Sequence, residues 1–337
     1  MKSIDQHGSP SSGRFERVRR AALFSVIASS ALSLVTARPA FAECGTRASP
    51  CVEAEPFWQS PAVRRLTAVS DTAAPAAGKL SAGTSVTYRL RPAVLNVPAP
   101  NQDGREVNLI KDAVTWSLLA RVGIGNRLEL TAVAAGLSQR GAGIKGVTSQ
   151  SAPGIDSPTL QDPRVGFGYS LNTPSPRLGA KVRFEAKLPL GNAEAFAGER
   201  SFVASPSIAL STARGGLFGG VELGARLRRP SDLFGLRIGS QALIAAGGGY
   251  QFAGPRLSFA LELYVLPSLI DSGSYRYLPA EWLFTTRLAP RLLGKLSLGL
   301  GGGGGLPLSG GVGSARLDFG VPSFRGLLYV RYAPTSD

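Results

Sequence analysis

The feature that most constrains this chain is a strict two-residue alternation that puts charges on one face of extended segments. Between Gly179 and Leu190, Ala180, Val182, Phe184, Ala186 and Leu188 alternate with Lys181, Arg183, Glu185 and Lys187. Just before it, Val165, Phe167, Tyr169 and Leu171 alternate with Arg164, Gly166, Gly168 and Ser170. A β-strand sends successive side chains to opposite faces. One face of each segment is therefore apolar, while the other carries a dense row of charge in the first segment. A soluble sandwich also alternates, but such a row suits a strand set between lipid and a wet lumen. Beyond the N-terminus no run of about 20 apolar residues occurs, so a membrane-spanning helix is not expected there.

The same hairpin recurs along the chain. Alternating segments are expected at Thr84–Val94, Val107–Ile124, Arg127–Ser138, Arg164–Leu171, Gly179–Leu190, Phe202–Thr212, Leu217–Arg228, Leu236–Phe252, Leu257–Val265, Tyr275–Leu288, Leu292–Leu306 and Ser314–Tyr332. Pro322 lies within the last and predicts a bend, because proline has no N–H for the ladder. Short connections alternate with long ones, among them Pro98–Glu106, Gln139–Gln161 and Pro189–Ser201. That rhythm is expected when every second turn faces the periplasm and the others face outside. The fold class is therefore all-β: a transmembrane antiparallel up-and-down β-barrel of about twelve strands.

The first 42 residues read as a secretory signal. Arg14, Arg17, Arg19 and Arg20 form a basic region, Ala21–Thr36 is apolar, and Ala40-Phe41-Ala42 is an A-x-A box. Cleavage is expected between Ala42 and Glu43. Residues 43–82, rich in Ala, Pro and Ser, are expected to be a flexible periplasmic lead-in, with the barrel at 83–337. The chain has two cysteines, Cys44 and Cys51, just after the cleavage site. In an oxidising compartment they are candidates for a disulfide. Without histidine beside them they do not suggest a metal site.

Several turn and strand phrases carry a resemblance. They are Lys111-Asp112, Gly125-Asn126-Arg127-Leu128-Glu129-Leu130, Gln161-Asp162-Pro163-Arg164-Val165-Gly166, Leu178-Gly179-Ala180-Lys181 and Gly320-Val321-Pro322-Ser323-Phe324-Arg325-Gly326. Over residues 84–334 the chain resembles the outer-membrane β-barrels that form the N-terminal part of OmpA-like proteins. It is also similar to outer-membrane transporters of the aromatic-degradation type. The resemblance implies an outer-membrane location, reached through the barrel assembly machinery, with lipid and lipopolysaccharide as surroundings. The sequence stops at Asp337, so the peptidoglycan-binding domain of OmpA-like proteins is not expected to be inherited.

The single histidine, His7, falls in the signal segment, so Ser-His and Cys-His mechanisms are not expected and the chain reads as a non-enzyme. Gly141, Gly143 and Gly146, and again Gly299, Gly301 and Gly304, match G-x-G-x-x-G. Neither match lies in the strand–turn–helix context a dinucleotide needs, so no cofactor is expected. The net charge of +15 is spread through the strands rather than clustered with aromatics, which argues against nucleic acid. The functional candidates are the residues placed on the lumen face. These are Lys181, Arg183, Glu185, Lys187, Glu222, Arg226, Arg228, Arg237, Glu262, Glu281, Arg287 and Lys295, with Glu129 pointing the same way. Two readings follow. One is a passive pore for small solutes, favouring anions because the lining is basic. The other is a barrel filled by its own salt bridges, serving as a structural or surface-binding protein through loops such as Gln139–Gln161.

Overall fold

The computed structural model describes residues 51–61, 65–97, 105–143, 155–171, 177–199, 201–233, 236–252, 257–270, 275–290, 294–308, 310–311 and 316–334. The expected cleavage site at Ala42 and Glu43, and Cys44, lie outside them. Cys51 is buried and is not a free thiol.

Twelve long strands among the described residues form one closed antiparallel barrel. They are β1 (Leu80–Val97), β2 (Arg105–Ile124), β3 (Leu128–Arg140), β4 (Arg164–Leu171), β5 (Leu178–Lys187) and β6 (Val203–Arg214), followed by β7 (Leu217–Arg226), β8 (Gln241–Gln251), β9 (Leu257–Val265), β10 (Ala280–Leu288), β11 (Leu296–Gly305) and β12 (Phe324–Tyr332). Neighbours in sequence pair throughout, and β12 returns to β1 from Ala82↔Tyr332 to Leu90↔Phe324. Closure pairs the backbone groups that an open edge would leave in hydrocarbon. At the short-turn end, β6 and β7 are joined by Gly215 and Gly216, with φ of 58° and 90°. Two positive φ values suit a tight hairpin turn, and glycine adopts them without strain.

The alternation decides what faces lipid. Leu118, Leu217, Leu223, Leu261, Leu300 and Leu328 are all more than half exposed on the outer surface. Arg89, Lys181, Arg183, Glu129, Glu222 and Glu281 are buried inside. The outer leucines have no internal packing to satisfy them, which in water would be costly and in a bilayer is required.

Three expected strands are broken in the structure. The segment expected at Leu236–Phe252 splits: Leu236–Ile238 pairs with Ser231–Leu233 in a loop hairpin, and the barrel strand starts at Gln241. Tyr275–Arg276 pairs with Gly310–Gly311 outside the barrel sheet. At Pro322 the last segment is interrupted. Arg316–Phe319 pairs with the far end of β1, and β12 begins at Phe324. The long-loop end thereby acquires a cap. Its apolar core joins Leu95, Leu109, Phe196, Leu233, Leu236, Tyr277 and Phe319 to Val52 and Ala54.

The largest departure concerns the expected flexible lead-in. The described residues 51–61 and 65–79 do not hang below the barrel; they run through its interior. Cys51 and Val52 lie in the cap at the long-loop end, and Ala77 bridges Gly123 at the short-turn end before β1 begins. Its composition lacks a period because it makes neither helix nor strand. What it offers the interior is a series of single side chains and free backbone N–H groups.

The assignment of faces has a direct test. Leu261 sits mid-strand on β9 with its side chain outward. Leu261→Arg should destabilise the barrel in bilayers by about 2–4 kcal/mol, the cost of a cation at the midplane. Chemical denaturation in lipid vesicles measures this. No loss of stability would mean the faces are inverted.

Candidate functional site

The inner wall of β2 to β7 is a ladder of ion pairs that crosses strands. Glu129 takes Arg121 Nε at 2.7 Å and Lys181 Nζ at 2.8 Å. Arg183 bridges Glu185 at 2.7 Å and Glu222 at 2.9 Å. Ser207 donates to Glu222 at 2.7 Å, and Arg164 lies 3.3 Å from Glu185. Two of these pairs reach over an intervening strand: Arg183–Glu222 over β6, and Lys181–Glu129 over β4, whose inward glycines leave room. A Cβ on Gly168 would meet the Glu129 carboxylate at 2.8 Å, and one on Gly166 would meet Glu185 Cγ at 2.9 Å. The inward glycines of the Arg164-Val165-Gly166-Phe167-Gly168 phrase are thus the floor on which the carboxylates lie. The second glycine pattern serves packing too: Gly299 yields its space to the Tyr329 ring.

The segment from Cys51 to Lys79 completes this ladder. The Glu55 carboxylate receives Arg325 through both terminal nitrogens, at 2.9 and 3.2 Å, and Arg89 Nε at 2.9 Å. Glu53 pairs with Lys187, and Asp71 lies 3.6 Å from Arg121. The exchange also runs the other way. Glu262 of β9 accepts the N–H groups of Thr67 and Ala68 at 2.7 and 2.6 Å, and Glu222 accepts that of Ser70 at 2.8 Å. Backbone donors crossing a barrel have no ladder partner, and a buried unpaired N–H is costly. Two wall carboxylates remove that cost.

Aromatic and apolar contacts fix the middle of the segment. The Trp58 ring has Arg226, Arg164 and Lys187 at 4.3, 5.0 and 5.5 Å from its centroid. Phe57 packs against Tyr264 at 5.2 Å, with Arg325 over its face at 4.8 Å. On the β7–β12 side, Phe57, Leu66 and Val69 join Phe218, Leu283, Leu327 and Tyr329 in a second apolar cluster. Burial of each such side chain is worth about 1.5–3 kcal/mol.

The interior is consequently filled at mid-height. A void of about 40 Å³ remains beside Glu55, Phe57 and Trp58. Nearer the short-turn end a cavity of about 510 Å³ opens between Arg65, Asp71 and Thr72 of the segment and Arg127, Arg177 and Phe218 of the wall.

Of the residues singled out from sequence, Lys181, Arg183, Glu185, Lys187, Glu222, Arg226, Glu262 and Glu281 lie buried on the inner wall. Arg287 is half-buried on the inward side of β10, and Arg228 lies just beyond β7, bound to Glu199 at 2.6 Å. Two depart. Arg237 is exposed in the loop hairpin, because the expected eighth strand starts only at Gln241. Lys295 is exposed in the turn before β11, one residue outside the strand. The alternation does not single out Arg89, Arg121 or Arg325, which carry most of the segment's contacts. The signal for the segment itself is the run Glu53-Ala54-Glu55-Pro56-Phe57-Trp58: carboxylates and adjacent aromatics in a stretch otherwise made of small residues.

Above the ladder, Asp162 ties down the loop after β5. It accepts N–H bonds from Gly191 and Glu199, both at 2.6 Å. Burial pushes its carboxyl up to about 7, against the pull of those two N–H groups. Phe196 in this loop holds φ at 54° and hydrogen-bonds Ala54 through its carbonyl, so the loop is fastened to the luminal segment.

Among solved structures the chain is similar to an outer membrane channel from Pseudomonas putida F1. The two share 15% identity over 78% of this chain and 98% of that one, with a TM-score of 0.54. The likeness is one of fold, a closed outer-membrane β-barrel. The NanC porin matches with TM-score 0.47 and 11% identity, over 76% of this chain and 100% of that one. The KdgM porin in complex with disordered oligogalacturonate matches with TM-score 0.41 and 9% identity, over 74% and 99%. The likeness to the Pseudomonas putida channel does not single out the OmpA-like barrel domain. No protein-family model matches the sequence, and no curated protein matches it.

The Asp162 contact gives a pH dependence. Its folded value of about 7 lies above its ordinary 3.8. The native state therefore binds the proton more tightly, and the contribution is complete below about pH 4 and lost as pH rises through 7. Wild-type stability should fall across that window relative to Asp162→Asn, which cannot ionise. Denaturation midpoints at pH 4, 5.5 and 7.5 measure the difference; parallel profiles would contradict it.

Proposed function

We propose that the protein is a passive outer-membrane channel for small solutes, that it prefers anions, and that residues 51–79 are its stopper. The observation that carries this reading is the charge match between segment and wall. The segment brings Glu53, Glu55 and Asp71, and each meets a wall cation: Lys187, the Arg89–Arg325 pair and Arg121. With the segment withdrawn, those cations would line an open, basic passage. Such a lining concentrates anions. Apart from its continuation into β1 and the Ala54–Phe196 backbone bond in the cap, the described segment is held by side chains and by the N–H bonds of Thr67, Ala68, Val69 and Ser70 to two carboxylates, so it can leave without breaking the barrel sheet.

A second reading has its own observation. The mid-barrel void of about 40 Å³ holds a water molecule or two, not a solute. If the stopper never leaves, the protein is a structural barrel.

Planar-bilayer recording separates them. Wild type should open rarely. Combining Glu55→Gln with Phe57→Ala and Trp58→Ala should raise the open fraction by at least about tenfold, because it removes a charge pair and two buried rings. The reversal potential should favour anions, and Arg183→Glu with Arg226→Glu should move it toward cations. A loosened variant that still shows the heat-modifiable mobility of a folded barrel, yet stays silent, would favour the structural reading.

A further inference from the structure

The place held by Glu55 and Phe57 is itself a ligand site. We infer that the Arg89–Arg325 pair, with the slot beside Tyr264, binds a small monocarboxylate carrying a ring, and that this ligand competes with the stopper. The inference rests on the channel reading and names its solute class.

The geometry is that of carboxylate recognition. Arg325 meets the Glu55 carboxylate with two parallel bonds, at 2.9 and 3.2 Å, and Arg89 Nε lies 2.9 Å from it in an ion pair. Bidentate guanidinium contact is specific for planar oxyanions. Next to it, the Phe57 ring lies between the Arg325 guanidinium, at 4.8 Å, and the Tyr264 ring, at 5.2 Å. A cation on one side and an aromatic face on the other suit a flat ring. Glu55 and Phe57 are one residue apart, so both features belong to one small volume.

The site does not need Glu55 to keep its shape. Glu281 of β10 holds Arg325 from behind, through Nε at 2.7 Å and a terminal nitrogen at 3.0 Å, and also accepts the Tyr264 hydroxyl. Arg89 is held separately, donating to Thr115 at 3.3 Å. All these side chains stand on barrel strands.

Charge sets the occupant. Arg89 and Arg325 face Glu281 and Glu55, two cations and two anions. When Glu55 leaves, one buried positive charge stays uncompensated, which is strongly unfavourable. A monoanion that takes its place restores neutrality. Withdrawal of the stopper and arrival of a carboxylate are therefore coupled: each favours the other. A neutral ring or a bare inorganic anion satisfies half of the site.

Trp58 reports the exchange, since it sits among Arg226, Arg164 and Lys187 next to the site. Trp116 and Trp282 face outward and can be replaced by Phe. In the full-length Trp116→Phe, Trp282→Phe protein, benzoate should change Trp58 emission saturably. Acetate should need at least about tenfold more for half-saturation, lacking the ring. Benzamide, and sodium chloride at matched ionic strength, should give no saturable change. Adding Glu55→Gln removes the competitor and should lower the benzoate midpoint about tenfold. No saturable benzoate response in either protein, or an equal response to chloride or benzamide, would overturn the proposal. Saturable binding in a barrel that never conducts would sink the channel reading and keep the site. Conductance without benzoate binding would do the reverse.

Discussion

Inside this barrel, charge must be matched at short range, and much of the structure follows from that. The outer face is committed to lipid, so ionisable side chains on the strands can only turn inward. There the effective dielectric is low, and a charge left without a partner costs several kcal/mol. Glu129, Glu185, Glu222 and Glu281 meet part of the wall's cationic charge, through pairs that cross one or two strands. Arg89 and Lys187 are met by Glu55 and Glu53 of the luminal segment, and Arg121 and Arg325 take a second carboxylate from it. The segment is therefore part of the electrostatics of the wall as well as an object within it.

Packing and capping follow the same division. One side of the interior is polar and holds the segment by ion pairs. Between β7 and β12, beside the Arg325–Glu281 pair, an apolar cluster takes Phe57, Leu66 and Val69. Small wall residues make room: a Cβ on Gly220 or Gly247 would come within 3.3 or 3.1 Å of Leu66. At the long-loop end, the loop held by Asp162 and the strand Arg316–Phe319 close over Val52 and Ala54. The interior is thus sealed from the outside by an apolar core, while the cavity of about 510 Å³ lies toward the short-turn end.

Much of this was legible in the chain. Period-two alternation gave the strands, their faces and the inward position of residues such as Lys181, Arg183 and Glu222, because a strand face is a local property. Segments broken by loop excursions were not legible. Leu236–Ile238 alternates as well as any barrel strand, and only its partner, Ser231–Leu233, places Arg237 in a loop. Lys295 shows the same limit at a strand end. The luminal segment was the least legible, because its structure comes from partners far along the chain: Glu55 with Arg325, and Thr67 with Glu262. No periodicity records such contacts. The alternation puts the glycines of β4 on the inner face, but their role, leaving room for Glu129 and Glu185, comes from partners on other strands.

The central claim is that the described residues 51–61 and 65–79 occupy the lumen and that their release opens it. Thr72 and Ser211 place their hydroxyl oxygens 2.5 Å apart, one on the segment and one on β6. A Thr72→Cys, Ser211→Cys pair, in a chain with Cys44→Ser and Cys51→Ser, can tie the two together, since the side chains meet within reach of a disulfide. The account predicts that the pair oxidises readily, that the oxidised barrel is silent in a planar bilayer, and that reduction restores openings. A pair that fails to oxidise in the folded barrel, or a conductance that is the same oxidised and reduced, would contradict it.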